Sequence, residues 1–427
     1  MTEPRLRVGL IQGAHQIAFE LPDGFRAEDG SVLHRGTYKA REGFKANPAQ
    51  PDAVFAVSGV EIGIGFHWNK KERQKFRGSL EILRTNGSGL TLVNELGLEA
   101  YLESVITSEM SEGAHPELLK AHAVISRSWV VAQMERPRNA VVRESAIRPG
   151  VISRWYDREN HETFDFCADD HCQRYQGVTK ATTAAASSAV AATRAQVLVS
   201  EGTVCDTRYS KSCGGMTEKF SSAWEDSDVA YLTPVYDGSG SPDGFTLPLS
   251  AEANARDWIT SSPEAFCNTN DPAVLNRILP DFDRATQDFY RWKVSLTQDE
   301  VGKLLIEKLG SQADLGAIHS IVALERGPSS RIVRLLVTGE KGSLEVGKEL
   351  EIRRILSTSH LYSSAFIVET VGSSNAAPDE FVITGAGWGH GVGLCQIGAA
   401  VMADQGYKYE QILSHYFRGA ELKSIYD

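Results

Sequence analysis

Alternating apolar and polar residues dominate the first part of the chain. Runs such as RLRVGLIQ and HQIAFEL place apolar side chains at alternate positions, which is the pattern of half-buried β-strands. In SLEILRTNGSGLTLVNE, two strand-like runs flank Asn86-Gly87-Ser88-Gly89, and these turn residues predict a β-hairpin. We therefore expect an N-terminal β-rich region over residues 1–95.

The pattern then changes to a helical period. Leu98, Leu102 and Val105 recur at steps of four and three, and Glu109 continues the same helix face. A second helix is expected to begin at Pro116, because proline is favoured in the first helical turn.

Residues 181–193 consist almost entirely of alanine, serine and threonine. Such a segment is either a flexible linker or a tightly packed helix, and we favour the helix because alanine has the highest helix propensity. Further on, Thr297 and Glu300 form a capping-box pattern that predicts a helix over VGKLLIEKL. With the strand-like runs IHSIVALE, RIVRLLVTG and FVIT, the pattern predicts an α+β protein with a mixed helical core and β-rich lobes.

Composition narrows the function classes. The 427 residues include 44 Lys+Arg and 55 Asp+Glu, a net charge of −11, whereas proteins that follow nucleic-acid phosphates usually carry a basic excess. No apolar run approaches the roughly 20 residues of a membrane-spanning helix. The start, MTEPRLRVGLIQ, lacks the apolar segment of a secretory signal, so the protein is either cytoplasmic or its leader has been removed.

The first candidate for chemistry is Glu109. A carboxylate that extends the apolar stripe of a helix lies at the edge of the core, where partial withdrawal from water suits a general acid. The alternative is that the helix ends at Ser108-Glu109-Met110 and the carboxylate faces water.

The second candidate is a metal site. The segment HETFDFCADDHC contains His161, Cys167, His171 and Cys172. Two imidazoles and two thiolates form a sensible tetrahedral Zn²⁺ set, although the spacing differs from that of a zinc finger. A Cys167–Cys172 disulfide, or two free thiols with surface histidines, are the alternatives.

Two glycine-containing segments complete the candidates. GAGWGHGVG (residues 385–393) superficially resembles a phosphate-binding loop, but the chain lacks the βαβ units that such a loop needs. Close approach of a ligand or of another loop would equally require these glycines, and plain tight turns are the alternative. SKSCGGMTEKFSSAWED (residues 210–226) has the residues of a loop that lines a cleft, or of an ordinary β-turn.

Taken in order, these segments resemble the SpoIID/LytB family of bacterial cell-wall proteins. YLESVITSEM followed by ELLKAHAVISRSW is similar to the family's Ser-Glu-Met core and Leu-Lys-Ala-x-Ala helix. SKSCGGMTE resembles its Ser-x-Gly-Gly-x-Thr block, and GAGWGHGVGLCQIGAAVMADQ resembles its Gly-His-Gly-x-Gly-x-x-Gln-x-Gly block. The resemblance implies a catalytic domain around a glycan-binding cleft, with a first part at 96–235, a mixed α/β insertion at 236–330 and a C-terminal part at 331–427.

The resemblance implies a peptidoglycan lytic transglycosylase, or a non-catalytic protein that enhances an N-acetylmuramoyl-L-alanine amidase. Glu109 maps onto the family's acid/base, and its intact Ser-Glu-Met setting favours the enzyme. Lys120 is expected to contact the lactyl carboxylate of the substrate. His390 and Gln396 are expected to bind sugar hydroxyls or to orient Glu109, although hydrogen bonds that only fix the loop would explain these residues as well. The other candidates for substrate binding lie in the second block: Ser210, Gly214, Gly215 and Thr217.

The resemblance also bears on the cysteines. Members of the sporulation branch carry a His/Cys zinc site between the first and second blocks, which maps onto His161, Cys167, His171 and Cys172. Because this cluster is distant from Glu109 in the chain, we expect the site to be structural. The two blocks that contain Cys213 and Cys395 are expected to meet at the cleft, so a disulfide between these residues is one option and a Cys205–Cys213 bridge is the competing one.

The expected partners are peptidoglycan glycan strands and a cell-wall amidase, with no nucleic acid. The resemblance implies an extracytoplasmic protein, periplasmic or associated with the cell wall. On that basis we expect that an export leader has been removed from the chain.

Overall fold

The computed structural model describes residues 2–39, 42–63, 69–85, 89–136, 146–156, 161–169, 172–181, 183–279, 288–372 and 377–427. Over these ranges, separate β-sheets surround a helical centre, so the predicted α+β class is confirmed. Every helix in the described ranges is too short or too polar to cross a lipid bilayer.

The N-terminal region is made of β-strands, as its alternating pattern predicts. The strands described before the first helix are β1 (Arg5–Ala14), β2 (Ala18–Leu21), β3 (Phe25–Ala27), β4 (Val32–Leu33), β5 (Gly36–Lys39), β6 (Lys45–Pro48), β7 (Val54–Ile62), β8 (Lys70–Arg77), β9 (Ser79–Thr85) and β10 (Gly89–Gly97). They form two sheets, one in the order β1-β10-β9-β6-β3-β4 and one in the order β5-β2-β7-β8. The predicted hairpin is confirmed by the antiparallel pairing of β9 and β10, whereas its turn residues 86–88 lie outside the described ranges.

Two long helices follow β10 and form the centre of the molecule. They are α1 (Leu98–Glu109) and α2 (Pro116–Glu135), and both are confirmed at the positions that the sequence predicts. Most of their residues are buried, because the N-terminal sheet and later helices cover them. The alanine-rich segment forms α3 (Ala185–Ala192), which packs against α1 and α2, so the flexible-linker alternative is wrong.

The remaining elements between α2 and β17 are short. They are β11 (Ala146–Arg148), β12 (Val151–Ser153), β13 (Phe166–Cys167), β14 (Gln196–Ser200), β15 (Thr203–Val204), β16 (Tyr209–Ser210), α4 (Phe220–Ala223), α5 (Glu252–Thr260) and α6 (Pro272–Ile278). β13 adds to the N-terminal sheet by parallel pairing with β1, which places the cysteine-containing segment against the helical centre.

The last part of the chain contains longer elements. They are β17 (Arg291–Thr297), α7 (Gln298–Leu309), β18 (Ile318–Arg326), β19 (Ile332–Gly339), β20 (Gly342–Gly347), α8 (Glu349–Ile355), β21 (Phe366–Val371), β22 (Glu380–Ala386), β23 (Leu394–Cys395), α9 (Gln396–Asp404), α10 (Tyr409–Tyr416) and β24 (Glu421–Ser424). The predicted capping box at the start of α7 is confirmed, since Glu300 N donates to Thr297 Oγ1 at 3.3 Å and Thr297 N donates to Glu300 Oε2 at 2.8 Å.

The two largest hydrophobic cores among the described residues organise these elements. The larger core joins the N-terminal sheet to α1–α3, α9 and α10. The second core lies among β17–β22, α7 and α8, and we call these elements the second lobe. β18 and β19, which flank the domain boundary predicted at residue 330, pair antiparallel in one sheet.

One buried ion pair fixes α1 to α2. Arg127 is fully buried, and its Nη2 and Nε donate to the two carboxylate oxygens of Glu99 at 2.6 and 3.0 Å. Burial opposes the charge of Glu99, but the hydrogen bond and the positive charge of Arg127 outweigh that effect and lower the pKa of Glu99.

We predict that Arg127→Met lowers the free energy of unfolding by about 3–5 kcal/mol, because it leaves the Glu99 carboxylate buried without its partner. Urea denaturation followed by circular dichroism measures the loss. Arg5→Met is the control, since the Arg5–Glu95 pair is exposed and such pairs contribute less than about 1 kcal/mol. Equal, small losses in both variants would contradict the prediction.

Candidate functional site

A cleft of about 900 Å³ lies between the helical centre and the second lobe. Its lining comes from the end of α1, the β16 segment and the loop before α9, together with β17, α7, α8 and the segment that follows α8. Among the residues predicted from the sequence, those that line the cleft are Glu109, Ser210, His390 and Gln396.

Glu109 is the last residue of α1 and is only 9% exposed. Its Oε1 accepts a hydrogen bond from the backbone N of Arg174 at 3.0 Å and a second from the hydroxyl of Tyr209 at 3.1 Å. Within the described ranges, Oε2 makes no hydrogen bond. One carboxyl oxygen is therefore fixed by the protein, and the other is available to a molecule in the cleft.

Tyr209 supplies the side-chain donor to Glu109. Burial, together with the neighbouring carboxylate of Glu109, raises the pKa of Tyr209 well above its ordinary value, so the phenol stays protonated. Its backbone belongs to β16, which pairs in parallel with β23 through Tyr209 and Leu394. The hydroxyl is thus positioned by the meeting of two segments that lie far apart in the sequence.

Gln396 contacts His122, which in turn packs against Tyr209. Gln396 Nε2 lies 3.1 Å from His122 Nε2, and His122 Nδ1 lies 3.2 Å from Ser126 Oγ. Burial and the positive charge of Lys211 lower the pKa of His122 to about 3, so its ring is neutral and accepts from the Gln396 amide. The ring of His122 packs edge-on against that of Tyr209, with 4.7 Å between centroids.

His390 also contacts Tyr209. Val392 N donates to His390 Nδ1 at 3.0 Å, and the ring forms a further hydrogen bond with the backbone of Tyr209. Burial and three nearby arginines lower the pKa of His390 well below its ordinary value, which keeps the ring neutral. Its ring packs edge-on against Trp224, with 4.9 Å between centroids. His390 lines the cleft while both of its ring nitrogens are engaged in the surrounding loops.

The glycines of the second block serve loop packing. Gly214 has φ +78°, and a Cβ at this position would lie 2.9 Å from the backbone N of Gly387. Next to this contact, Trp388 N donates to Ser212 O at 2.7 Å and Ser212 N donates to Trp388 O at 3.1 Å. Neither Gly214 nor Gly215 lines the cleft. The lack of a side chain at Gly214 lets the two glycine-containing loops cross, whereas a Cβ at Gly215 would meet the side chains of Trp258 and Tyr290.

Two other predicted residues also lie away from the cleft lining. Thr217 is buried, and its Oγ1 accepts a hydrogen bond from Val235 N at 2.7 Å. Lys120 lies on α2, where its Nζ is 2.8 Å from Glu117 Oε1 and 5.8 Å from the ring centroid of Tyr409. The structure therefore does not bring Lys120 together with Glu109.

Among the residues of the second block that were predicted to bind substrate, Ser210 lies in the cleft. It is 6% exposed, and its Oγ has no hydrogen-bond partner among the described residues. The backbone of Ser210 pairs with Cys395 in the β16–β23 contact.

The cleft contains functional candidates that the sequence interpretation missed. Arg174 and Lys211 are cationic lining residues, and Trp388 lies against Tyr362, with 4.4 Å between ring centroids. Lys211 was detectable as the neighbour of Ser210, and Trp388 as the aromatic residue of the glycine-rich loop. Arg174 and Tyr362 carry no local signal, because only the fold brings them to the cleft.

Residues of the predicted insertion (236–330) also line the cleft. Its strand β17 and helix α7 contribute Val294, Leu296, Glu300 and Glu307 to the lining. Glu300 is used in the capping box of α7, and its hydrogen bonds from Thr297 lower its pKa. Glu307 is exposed and lies 2.9 Å from Lys308 Nζ. Glu109 therefore differs from these two carboxylates in being buried and held by the helical centre.

Three of the predicted metal ligands converge. The ligand atoms of His161, Cys167 and Cys172 all lie within 4.8 Å of one another, and His161 Nε2 is 3.6 Å from Cys172 Sγ. Tetrahedral Zn²⁺ with ordinary bond lengths separates a bound nitrogen and sulfur by about 3.5 Å. The fourth predicted ligand, His171, lies outside the described residues. The donor set that is described fits a zinc ion.

A short stretch of backbone connects this cluster to a residue that hydrogen-bonds Glu109. Cys172 is two residues before Arg174, whose N donates to Glu109. Cys167 N in turn donates to Cys172 Sγ at 3.4 Å. The segment that carries the thiols therefore also carries one of the two groups that fix the carboxyl.

All six cysteines are thiols in this structure. Cys213 does lie next to Cys395, as the meeting of the two blocks implies, with its N 3.2 Å from Cys395 Sγ. Its Sγ is 3.7 Å from that of Cys267, which the sequence interpretation left without a partner.

Comparisons with known proteins cover most of the chain. Residues 86–199 match the family described as stage II sporulation protein, and residues 218–393 match a domain of unknown function, DUF8618. Stage II sporulation protein D of Bacillus amyloliquefaciens is 25% identical over 352 residues, which are 81% of this chain and 78% of that protein.

Two proteins of Bacillus subtilis (strain 168) are also similar. Its stage II sporulation protein D is 24% identical over 347 residues, covering 81% of this chain and 78% of the relative. Its amidase enhancer is 25% identical over 247 residues, covering 55% of this chain and 32% of the relative. Together with the three ordered sequence blocks, these similarities support a relationship to the SpoIID/LytB family.

Proposed function

We propose that this protein is a peptidoglycan lytic transglycosylase that uses Glu109 as its single acid and base. The similarity to stage II sporulation protein D and to an amidase enhancer supports a cell-wall-related role. The observation that carries the finer assignment is the state of the Glu109 carboxyl, with Oε1 held by Arg174 N and Tyr209 OH and Oε2 directed to no protein group within the described ranges.

The proposed reaction cleaves the bond between N-acetylmuramic acid and N-acetylglucosamine. Glu109 gives its proton to the glycosidic oxygen as the bond breaks, and the transition state resembles an oxocarbenium ion. The carboxylate then takes the proton of the sugar's own 6-hydroxyl, whose oxygen closes a 1,6-anhydro ring on the muramic acid. Glu109 ends protonated as it began, and no water is consumed.

The other carboxylates of the cleft agree with a single-carboxylate mechanism. A hydrolytic glycosidase needs a second carboxylate that acts on water or on the sugar. Glu300 is engaged in the α7 capping box, and Glu307 is exposed beside Lys308. An attack by the internal hydroxyl requires neither group.

The remaining lining suits an acidic sugar. Trp388 and Tyr362 provide aromatic surface for the sugar face, and Arg174 and Lys211 provide positive charge for the lactyl carboxylate that was first assigned to Lys120. We propose that Ser210 binds a sugar hydroxyl, because its Oγ is buried without a partner among the described residues. His390 and Gln396 are proposed to act mainly by positioning Tyr209. A substrate of this kind also places the protein outside the cytoplasm.

The second candidate function is stimulation of a cell-wall amidase without catalysis. It is favoured by the similarity to the amidase enhancer of Bacillus subtilis (strain 168). The two functions differ in whether the protein alone changes a glycan strand, so one assay separates them.

We predict that the protein releases products ending in 1,6-anhydro-muramic acid from purified, peptide-free glycan strands, as detected by mass spectrometry. Glu109→Gln should lower the rate by about 10²–10⁴-fold, because it removes the acid and base. Glu103→Gln is the matched control on the same helix, where the side chain pairs with Arg77 instead of facing the cleft. Binding of the strands without product would overturn the enzyme and favour the amidase enhancer, and full activity of Glu109→Gln would overturn the assigned acid.

We predict that Tyr209→Phe lowers kcat by about 10- to 100-fold with little change in KM, since a hydrogen bond to a charged group contributes ~1.5–3 kcal/mol. The substitution keeps the buried ring and removes only the donor to Glu109. Tyr38→Phe, in β5 of the β5-β2-β7-β8 sheet, is the control for loss of a tyrosine hydroxyl. A rise in KM with unchanged kcat would show that Tyr209 binds substrate instead of positioning Glu109.

We propose that His161, Cys167 and Cys172 bind a structural zinc ion, with His171 as the fourth ligand. When bound, the ion holds the segment that leads to Arg174 and takes no part in bond breaking. Elemental analysis of the purified protein should show that Cys172→Ser loses one equivalent of zinc, whereas Cys205→Ser, a buried thiol outside this cluster, keeps it. A metal-free protein with a Cys167–Cys172 disulfide would overturn the proposal.

A further inference from the structure

A second cluster of potential metal ligands lies deep in the protein, separate from the His161 site. It consists of Cys213, Asp237, Cys267 and Cys395, and all four residues are buried. Their ligand atoms all lie within 4.8 Å of one another. We call this set of three cysteines and one aspartate the Cys/Asp cluster.

Three distant parts of the chain meet in this cluster. Cys213 belongs to the segment after β16, Asp237 and Cys267 come from the region that leads to β17, and Cys395 ends β23. Cys213 N donates to Cys395 Sγ at 3.2 Å, and Cys267 N donates to Asp237 Oδ2 at 2.9 Å. The backbone of each partner is therefore fixed relative to the next.

The distances fit the coordination of one metal ion. Two thiolates bound to tetrahedral Zn²⁺ at about 2.3 Å each lie about 3.8 Å apart. Cys213 Sγ and Cys267 Sγ are 3.7 Å apart, which is far longer than the ~2.05 Å of a disulfide bond. In a [4Fe–4S] cluster each cysteine binds a different iron atom, so the cysteine sulfurs lie further apart than those of a mononuclear site.

The buried carboxylate points to a cation. Isolated charges are costly to bury unless they are paired or bind a metal. Asp237 is fully buried, and among the described residues no lysine or arginine forms an ion pair with it. Tyr416 OH donates to its Oδ1 at 2.6 Å, which is the kind of outer hydrogen bond that orients a metal-binding carboxylate.

The positively charged residues around the cluster are also consistent with a site that contains several thiolates. Arg331 is fully buried, and its Nη1 donates to the carbonyl of Cys213 at 3.1 Å. Arg291 Nη1 donates to the carbonyl of Gly214 at 3.2 Å. Two guanidinium groups therefore lie beside a set of ligands whose summed negative charge would exceed that of a divalent ion.

We propose that Cys213, Cys267, Cys395 and Asp237 bind a second zinc ion, which has a structural role. Three thiolates and a carboxylate suit Zn²⁺ among the divalent metals, and four protein ligands leave no open position for chemistry. The ion fixes the floor of the cleft, because Cys395 pairs with Ser210 and directly precedes Gln396, both of which line the cleft. This assignment does not depend on the proposed activity.

The test is the metal content of the full chain, purified without chelators. In a Cys172→Ser background, which removes the His161 site, one equivalent of zinc should remain. Adding Cys213→Ser, Cys267→Ser or Cys395→Ser should remove it, whereas adding Cys205→Ser should not. Zinc that is lost equally in the Cys205→Ser control, or that is absent from the background protein, would overturn the proposal.

A measurement on the background protein guards against variants that fail to fold. X-ray absorption at the zinc edge should report three sulfur ligands and one oxygen ligand, and Asp237→Asn should change the oxygen shell while the three sulfurs remain. A metal-free protein whose intact mass is lower by two hydrogens, with one remaining alkylatable thiol among the three, would show that two of these cysteines form a disulfide and would contradict the site.

Discussion

The cleft depends on close backbone packing between the segment around β16 and the glycine-rich loop that leads into α9. Gly214 and Gly387 approach so closely that a side chain at either position would meet the other's backbone. The same contact sets β16 beside β23, which directs the hydroxyl of Tyr209 to Glu109. The glycines therefore have their effect on the carboxyl through packing, without lining the cleft themselves.

A second constraint on Glu109 comes from a different segment of the chain. The segment with His161, Cys167 and Cys172 leads directly into Arg174, whose backbone N is the other donor to Oε1. Two loops from different parts of the chain thus fix one oxygen of a buried carboxyl at the end of a helix. Preorganisation of this kind is how a single carboxyl can be oriented for proton transfer without rearrangement during the reaction.

Local sequence patterns were sufficient to predict the helices and strands, but they were insufficient to predict which residues line the cleft. The alternating N-terminal strands, the helices that begin at Leu98 and Pro116, and the capping box at Thr297 follow from periodicity and local hydrogen bonding, so the sequence predicts them. Gly214, Gly215 and Thr217 were predicted to bind substrate because their block resembles the family's Ser-x-Gly-Gly-x-Thr block, but they lie outside the cleft lining. Lys120 was expected to contact the lactyl carboxylate, but it pairs with Glu117 one turn earlier on the same helix and lies outside the cleft lining.

The residues that the sequence could not indicate are those that only tertiary contacts bring together. Arg174 reaches the cleft because β13 pairs with β1 and carries its segment to the helical centre, and Tyr362 reaches it from the second lobe. The association of Cys267 with Cys213 likewise spans 54 residues and has no local pattern.

The origin of the oxygen atoms in the product tests the central claim most directly. The protein is incubated with peptide-free glycan strands in water enriched in oxygen-18, and the new muramic acid ends are analysed by mass spectrometry. Attack by the internal 6-hydroxyl predicts an anhydro end that is lighter than a hydrolysed end by one water molecule and contains no heavy oxygen. Incorporation of oxygen-18 at the new end would show that water attacks and would contradict the single-carboxylate mechanism.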